Sequence, residues 1–109
     1  MDEVIPEIYR RNADFCSVFT NPRRLMIMKL LQKGELSVGG IARELGIPDH
    51  AVSQHLRVMK DRIAVKSRKE GRTVYYRVAN PKFIEACELI MGGLVEEYEK
   101  INQGISENE

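Results

Sequence analysis

Four side chains able to hydrogen-bond to nucleotide bases and phosphates, His50, Ser53, Gln54 and Arg57, recur at three- and four-residue intervals. On a helix that spacing gathers them on one ridge. Gln54 carries the amide geometry that bonds adenine bidentately, and Arg57 the fork that fits guanine or a phosphate. Ser53 and His50, nearer the positive end of the helix dipole, suit phosphate. Further along, Arg68, Lys69 and Arg72 bracket Glu70-Gly71, a dipeptide that turns a hairpin and brings these cations to its tip. Cations at such a tip meet phosphates or enter a minor groove. Together these residues point to duplex DNA contacted by a helix and a hairpin. No Ser/His/Asp, Cys/His or paired-carboxylate set converges on one place, so no enzyme is expected.

The elements that must position these residues follow from the surrounding pattern. Ala42, Gly46 and Val52, with apolar Ile41, Leu45, Ile47 and Leu56 around them, have the spacing of a helix-turn-helix. Alanine lets two helices cross closely, glycine can adopt the left-handed conformation that ends the first, and Val52 plugs the second into the core. Ser37 is the expected cap of the first of these helices, and Asp49, after Pro48, of the second. Val52, Leu56 and Met59 should form the buried face of that second helix, leaving His50, Ser53, Gln54, Arg57 and Asp61 outward and His55 on the flank. Val65–Lys69 and Arg72–Val78 alternate as strands, forming a wing, with Val74, Tyr76 and Val78 on one face and Thr73, Tyr75 and Arg77 on the other.

Outside this centre, residues from about Pro6 to Phe19 set Ile8, Tyr9, Phe15, Cys16 and Phe19 on one helical stripe. Asn21 and Pro22 then cap and start a helix whose core, LMIMKLL, is apolar nearly all round and should be buried. The last helix, about Pro81 to Ile101, is apolar at 83, 84, 87, 90, 91, 94, 95, 98 and 101. That stripe is broader than one domain face can cover, which suggests a second subunit, and close helix approach there would account for Gly92 and Gly93. The expected fold is mainly α with a two-stranded β-wing: a winged helix-turn-helix of five helices, with the wing between the fourth and fifth. Residues 1–102 form one DNA-binding and dimerisation domain, and 103–109 a polar tail.

The chain has 109 residues and a formal net charge of +1, but the charges are segregated. His50 to Asn80 holds eight basic and two acidic residues, whereas Pro81 to Glu109 holds two lysines and seven glutamates. A polyanion is attracted to the centre and held away from the ends. With no long apolar run and no signal-peptide pattern, the expected location is the cytoplasm. A basic face could also serve an acidic protein partner, as in a winged helix used as a protein-interaction module. Polar base-reading types beside the wing, in place of aromatic anchors, favour DNA.

Through FTNPRRLMIMKLLQKGELSVGGIARELGIPDHAVSQHLRVM and VKSRKEGRTVYYRV, roughly residues 15 to 80, the sequence resembles the ArsR/SmtB family of winged helix-turn-helix repressors. The resemblance implies a homodimer, joined through the first and last helices, that represses by binding an imperfect inverted repeat and is released by an inducer, commonly a metal ion. The departures are informative. Where many metal-sensing members carry Cys-Val-Cys, this chain has Ser37-Val38-Gly39, and where others bind metal between the last helices it offers Asn80, Lys82, Gly93 and Glu96. Those residues cannot assemble a site of three or four ligands, so neither metal nor cofactor is expected. Arg62-Ile63-Ala64 replaces the family's usual Ala-Gly-Leu; isoleucine is strained in a left-handed cap, so this helix is expected to end by another route. Two cysteines, Cys16 and Cys87, fall on the helices expected to form the dimer. Some family members sense oxidants or reactive sulfur through two helical cysteines, which makes this pair a candidate thiol switch; the other reading is two small buried hydrophobes.

Overall fold

The computed structural model describes residues 4–104. Helix α1 (Glu7–Cys16) runs into a 3-10 turn (Ser17–Thr20), followed by α2 (Pro22–Leu31), strand β1 (Leu36–Ser37), α3 (Val38–Leu45), α4 (Asp49–Asp61), β2 (Val65–Glu70), β3 (Thr73–Val78) and α5 (Pro81–Asn102). The strands form one antiparallel sheet in the order β1-β3-β2. The winged arrangement matches the expected one, with a third strand added: Leu36 and Ser37 pair with Tyr76 and Tyr75. No described helix is long and apolar enough to cross a membrane.

The core gathers around α2, α3 and α4. Ile27, Met28 and Leu31 of α2 meet Ile41 and Ala42 of α3, Val52, Leu56 and Met59 of α4, and Ala64 and Val65 leading into β2. Several helix boundaries have the local causes the sequence suggests. The Asn21 side chain accepts from the backbone N–H of Arg23 at 2.9 Å and of Arg24 at 3.4 Å, and Pro22 follows in the first turn. Ser37 Oγ accepts from Gly40 N–H at 3.1 Å. Gly46 ends α3 at φ 67° while its N–H donates to the Ala42 carbonyl at 2.8 Å, the left-handed cap that glycine adopts without a steric penalty.

Three expectations need correction. Asp49 does not cap α4; Pro48, extended at φ −65° and ψ 148°, is the N-cap, and no side chain bonds the first turn. Asp49 lies inside that turn, where its charge still complements the helix dipole. The α2 run is not buried all round, because Leu25 and Met26 face solvent in the protomer. The third correction concerns Ile63, which does adopt the left-handed conformation, at φ 59°. Its N–H donates to the Lys60 carbonyl at 3.0 Å and that of Ala64 to Met59 at 2.8 Å. These are the two bonds of a Schellman ending. They satisfy carbonyls at the end of α4, and Ala64 and Val65 beyond are fully buried, so hydrogen bonding and packing overcome the β-branched residue's local preference.

The terminal helices pack on the domain at few points. Phe15 packs on Phe83 with ring centroids 4.4 Å apart and the rings tilted by 43°, and meets Phe19 edge-on at 5.4 Å, while Ile8 and Tyr9 on the expected α1 stripe are exposed. On α5 only Ile84 is buried. Leu89, Ile90, Met91, Leu94, Val95, Tyr98 and Ile101 are exposed in the single protomer. The helix ends at Asn102; of the expected tail, 105–109 lie outside the described residues.

Candidate nucleic-acid interface

Helix α4 is held from one side and open on the other. Val52, Leu56 and Met59 have no accessible surface, while His50, Ser53, Gln54, Arg57 and Asp61 are all exposed and His55 is half-buried on the flank. The polar ridge therefore projects from an element whose rotation is fixed by its opposite face. Gly46 and the extended Pro48 set the angle at which α4 leaves α3.

The wing register pairs Val65 with Val78, Arg68 with Tyr75 and Glu70 with Thr73. Its two-residue connection is thus Gly71-Arg72, one position later than Glu70-Gly71, and Gly71 takes φ 61°. Positive φ at that first central position is what a tight hairpin requires. Lys69 and Arg72 are exposed at the tip. Arg68 is engaged elsewhere: its guanidinium binds Glu35 and Glu70 and lies over the Tyr75 ring, with its central carbon 4.8 Å from the centroid. Lys66 faces Arg77 directly across the strands, a like-charge juxtaposition that costs stability unless an anion lies near.

In the basic segment Arg62 is also engaged within the protein, half-buried against the end of α1 and the turn that follows it. Its Nη1 donates to the Asp14 carbonyl at 3.1 Å and to Ser17 Oγ at 2.9 Å. Two cations that sequence reasoning treated only as part of a helix start join the surface instead. Arg24 Nε donates to His55 Nδ1 on α4 at 3.4 Å, and exposed Arg23 precedes it on the same first turn of α2. Partial burial, then the charges of Arg24 and Arg23, hold the His55 pKa below its usual 6.5. The available signal was weak: an Arg-Arg pair one residue after an N-cap, with Arg24 31 residues from the histidine it meets.

The cysteines differ in setting. Cys16 is exposed and its thiol donates to Asn12 Oδ1 at 3.1 Å. Cys87 is half-buried, and that burial, followed by the charge of Glu88, pushes its thiol pKa up, away from the thiolate that reacts with oxidants. Ser37 and Asn80 act as helix caps, and no group of three potential metal ligands gathers among the described residues.

Comparison with known proteins agrees with this geometry. Residues 21–62, from the start of α2 to the end of α4, match the bacterial regulatory protein, arsR family. Nodulation protein NolR of Rhizobium meliloti is 35% identical over 86 residues, covering 79% of this chain and 67% of the relative. An uncharacterized HTH-type transcriptional regulator of Methanocaldococcus jannaschii is 36% identical over 85 residues, covering 77% of this chain and 96% of the relative. Among solved structures, a homodimeric winged helix-turn-helix DNA-binding domain from Mycobacterium bovis superposes with a TM-score of 0.76 at 28% identity, covering 88% of this chain and 92% of that one. With its helix-turn-helix matched and relatives above 30% identity spanned over two thirds or more of their length, the chain belongs to the arsR family of bacterial regulatory proteins.

Proposed function

We propose that this protein is a homodimeric, sequence-specific DNA-binding transcriptional regulator, not an enzyme, that represses from an inverted-repeat operator. The observation that carries the reading is the exposed ridge of His50, Ser53, Gln54 and Arg57 on a helix locked by Val52, Leu56 and Met59, beside a wing tipped with Lys69 and Arg72. In this reading α4 enters the major groove. Gln54 reads a base edge, Arg57 a guanine or phosphate, and His50 and Ser53 hold phosphates. Lys69 and Arg72 grip the backbone flanking the site, and Arg23 adds a contact from α2. The exposed apolar faces of α1 and α5 join two protomers, so that two recognition helices meet the two half-sites. A sibling fold described as a homodimeric DNA-binding domain supports the same assembly.

Fluorescence anisotropy with a duplex from the protein's own promoter tests this. With Arg57, Lys69, Arg72 and Arg23 from each protomer on phosphates, log affinity should fall against log salt with a slope of about −7. A nearly flat salt dependence, or no duplex binding, overturns it. Repeating the titration on oxidised protein tests the thiol switch: unchanged affinity removes Cys16 and Cys87 from the signal.

A further inference from the structure

Arg68 lies in β2, yet its contacts run across the whole sheet. Its Nε donates to both Glu35 carboxylate oxygens, at 2.9 and 3.0 Å, and its Nη2 makes a further contact with Oε1 of the same residue. Its Nη1 donates to Glu70 Oε2 at 2.6 Å. Between these anchors the guanidinium covers Tyr75, its cross-strand partner. Tyr75 in turn pairs with Ser37 of β1, and Glu35 lies two residues before Ser37. Extending the alternation one residue before β1 puts Glu35 on the sheet face that carries Tyr75 and Arg68. The guanidinium therefore bridges the outermost wing strand, over the middle one, to the segment that leads into the helix-turn-helix.

Backbone pairing alone attaches the wing weakly on that side, because β1 contributes only Leu36 and Ser37. A planar, forked cation bound by one carboxylate through several N–H groups adds fixed geometry that a point charge would not. We propose that Glu35 and Arg68 form a clamp that sets the angle of the wing to the helix-turn-helix, making both positioning residues for DNA binding. This rests on the DNA-binding reading above. It replaces the expectation that Arg68 meets phosphate, and the two assignments differ in sign. If Arg68 were a phosphate contact restrained by Glu35, deleting the carboxylate would free a cation, remove a negative charge near DNA and tighten binding. If the pair is a clamp, the same deletion loosens the wing and weakens binding although the protein becomes more positive.

The test compares Glu35→Ala and Arg68→Lys in the full-length protein, with folding checked by thermal melting. The DNA probe is a labelled duplex selected by the unmodified protein from a random-sequence pool. Both variants should bind it about 5- to 20-fold more weakly, with salt slopes unchanged, and the double variant should be no weaker than the worse single one. Hydrogen exchange without DNA should show faster exchange of wing amides from Lys66 to Val74 in Glu35→Ala. Equal or tighter DNA binding by Glu35→Ala overturns the clamp, as does unchanged wing exchange. So does a slope flattened by about 1.8 in a charge-removing Arg68→Gln variant, the loss of one phosphate contact per protomer. Should the unmodified protein bind no duplex, the functional reading fails while the exchange measurement still decides the clamp.

Discussion

Arg62 at the end of α4 and Asp14 in α1 are joined twice: the guanidinium Nη1 lies 3.1 Å from the Asp14 carbonyl and 3.1 Å from its carboxylate Oδ1. The same nitrogen donates to Ser17 Oγ at 2.9 Å. The end of α4, the helix proposed to face DNA, is thereby tied to α1, a helix proposed for the dimer interface. Arg62→Ala removes a charged donor from a carbonyl and a hydroxyl and should cost about 1–2 kcal/mol. Asp14→Asn keeps the carbonyl and loses only a solvent-screened charge, costing at most about 0.5 kcal/mol. Urea melts check the order, which should show as a lower midpoint at unchanged slope.

One turn end away, Ile63 adopts φ 59° with 68% of its surface exposed. Its side chain contributes little burial in the protomer and opposes the backbone it sits on. Ile63→Gly should therefore stabilise the protein by about 0.5–1 kcal/mol, the relief of left-handed strain exceeding the added chain entropy of glycine. Loss of stability in a denaturant melt would instead mean that the isoleucine is engaged, as by a second subunit.

His55 supplies a pH dependence whose sign is determined. Accepting from Arg24 requires Nδ1 unprotonated, and burial together with Arg24 and Arg23 lowers its pKa from 6.5. The unfolded chain therefore takes up this proton before the folded one does. Stability due to His55 is fully present above pH 6.5 and is lost as pH falls through the folded value. An NMR titration of the imidazole should give a midpoint below 6.5, and His55→Gln should reduce the loss of stability between pH 7.5 and 5.5. A midpoint at or above 6.5 contradicts this assignment.

The legibility of these features from sequence divides along physical lines. The ridge from His50 to Arg57 was readable because Val52, Leu56 and Met59 repeat with helical period on the opposite side, and periodicity is a local signal. Ser37, Asn21 and Gly46 were readable as caps for the same reason. Strand β1 was not, since Leu36 and Ser37 are too few to display alternation. Arg68 and Glu35, 33 residues apart, meet only because the sheet order places β1 and β2 on either side of β3. At Ile63 a sound local rule was overridden by two backbone hydrogen bonds and a buried Ala64-Val65, neither visible in residue type alone.

In the proposed interface, Gln54 and Arg72 separate base reading from phosphate binding. Gln54→Ala should relax preference at one base position of each half-site, with discrimination falling by about 1–3 kcal/mol there. Arg72→Ala should weaken binding to all sequences alike and flatten the salt slope of the dimer by about 1.8. Competition anisotropy with single-base variants of the selected duplex reads both. Identical behaviour of the two variants would show that one of the assigned roles is wrong.

Gly92 and Gly93 offer a test of the dimer that depends on sign. In the protomer, a Cβ at either position would meet nothing within 4 Å, and both lie inside α5, where alanine is favoured over glycine by about 1 kcal/mol each. A free-standing α5 would therefore be strengthened by Gly92→Ala/Gly93→Ala. If the glycines exist to let a partner helix approach between Leu89, Ile90, Leu94 and Val95, added methyls push the helices apart. We expect the dimer to dissociate at least tenfold more readily in the double variant, measured by sedimentation or light scattering across concentration, with DNA affinity falling in step as paired half-site contacts are lost. A dimer of unchanged or greater affinity would place the subunit contact elsewhere on the exposed apolar surface of α1 and α5.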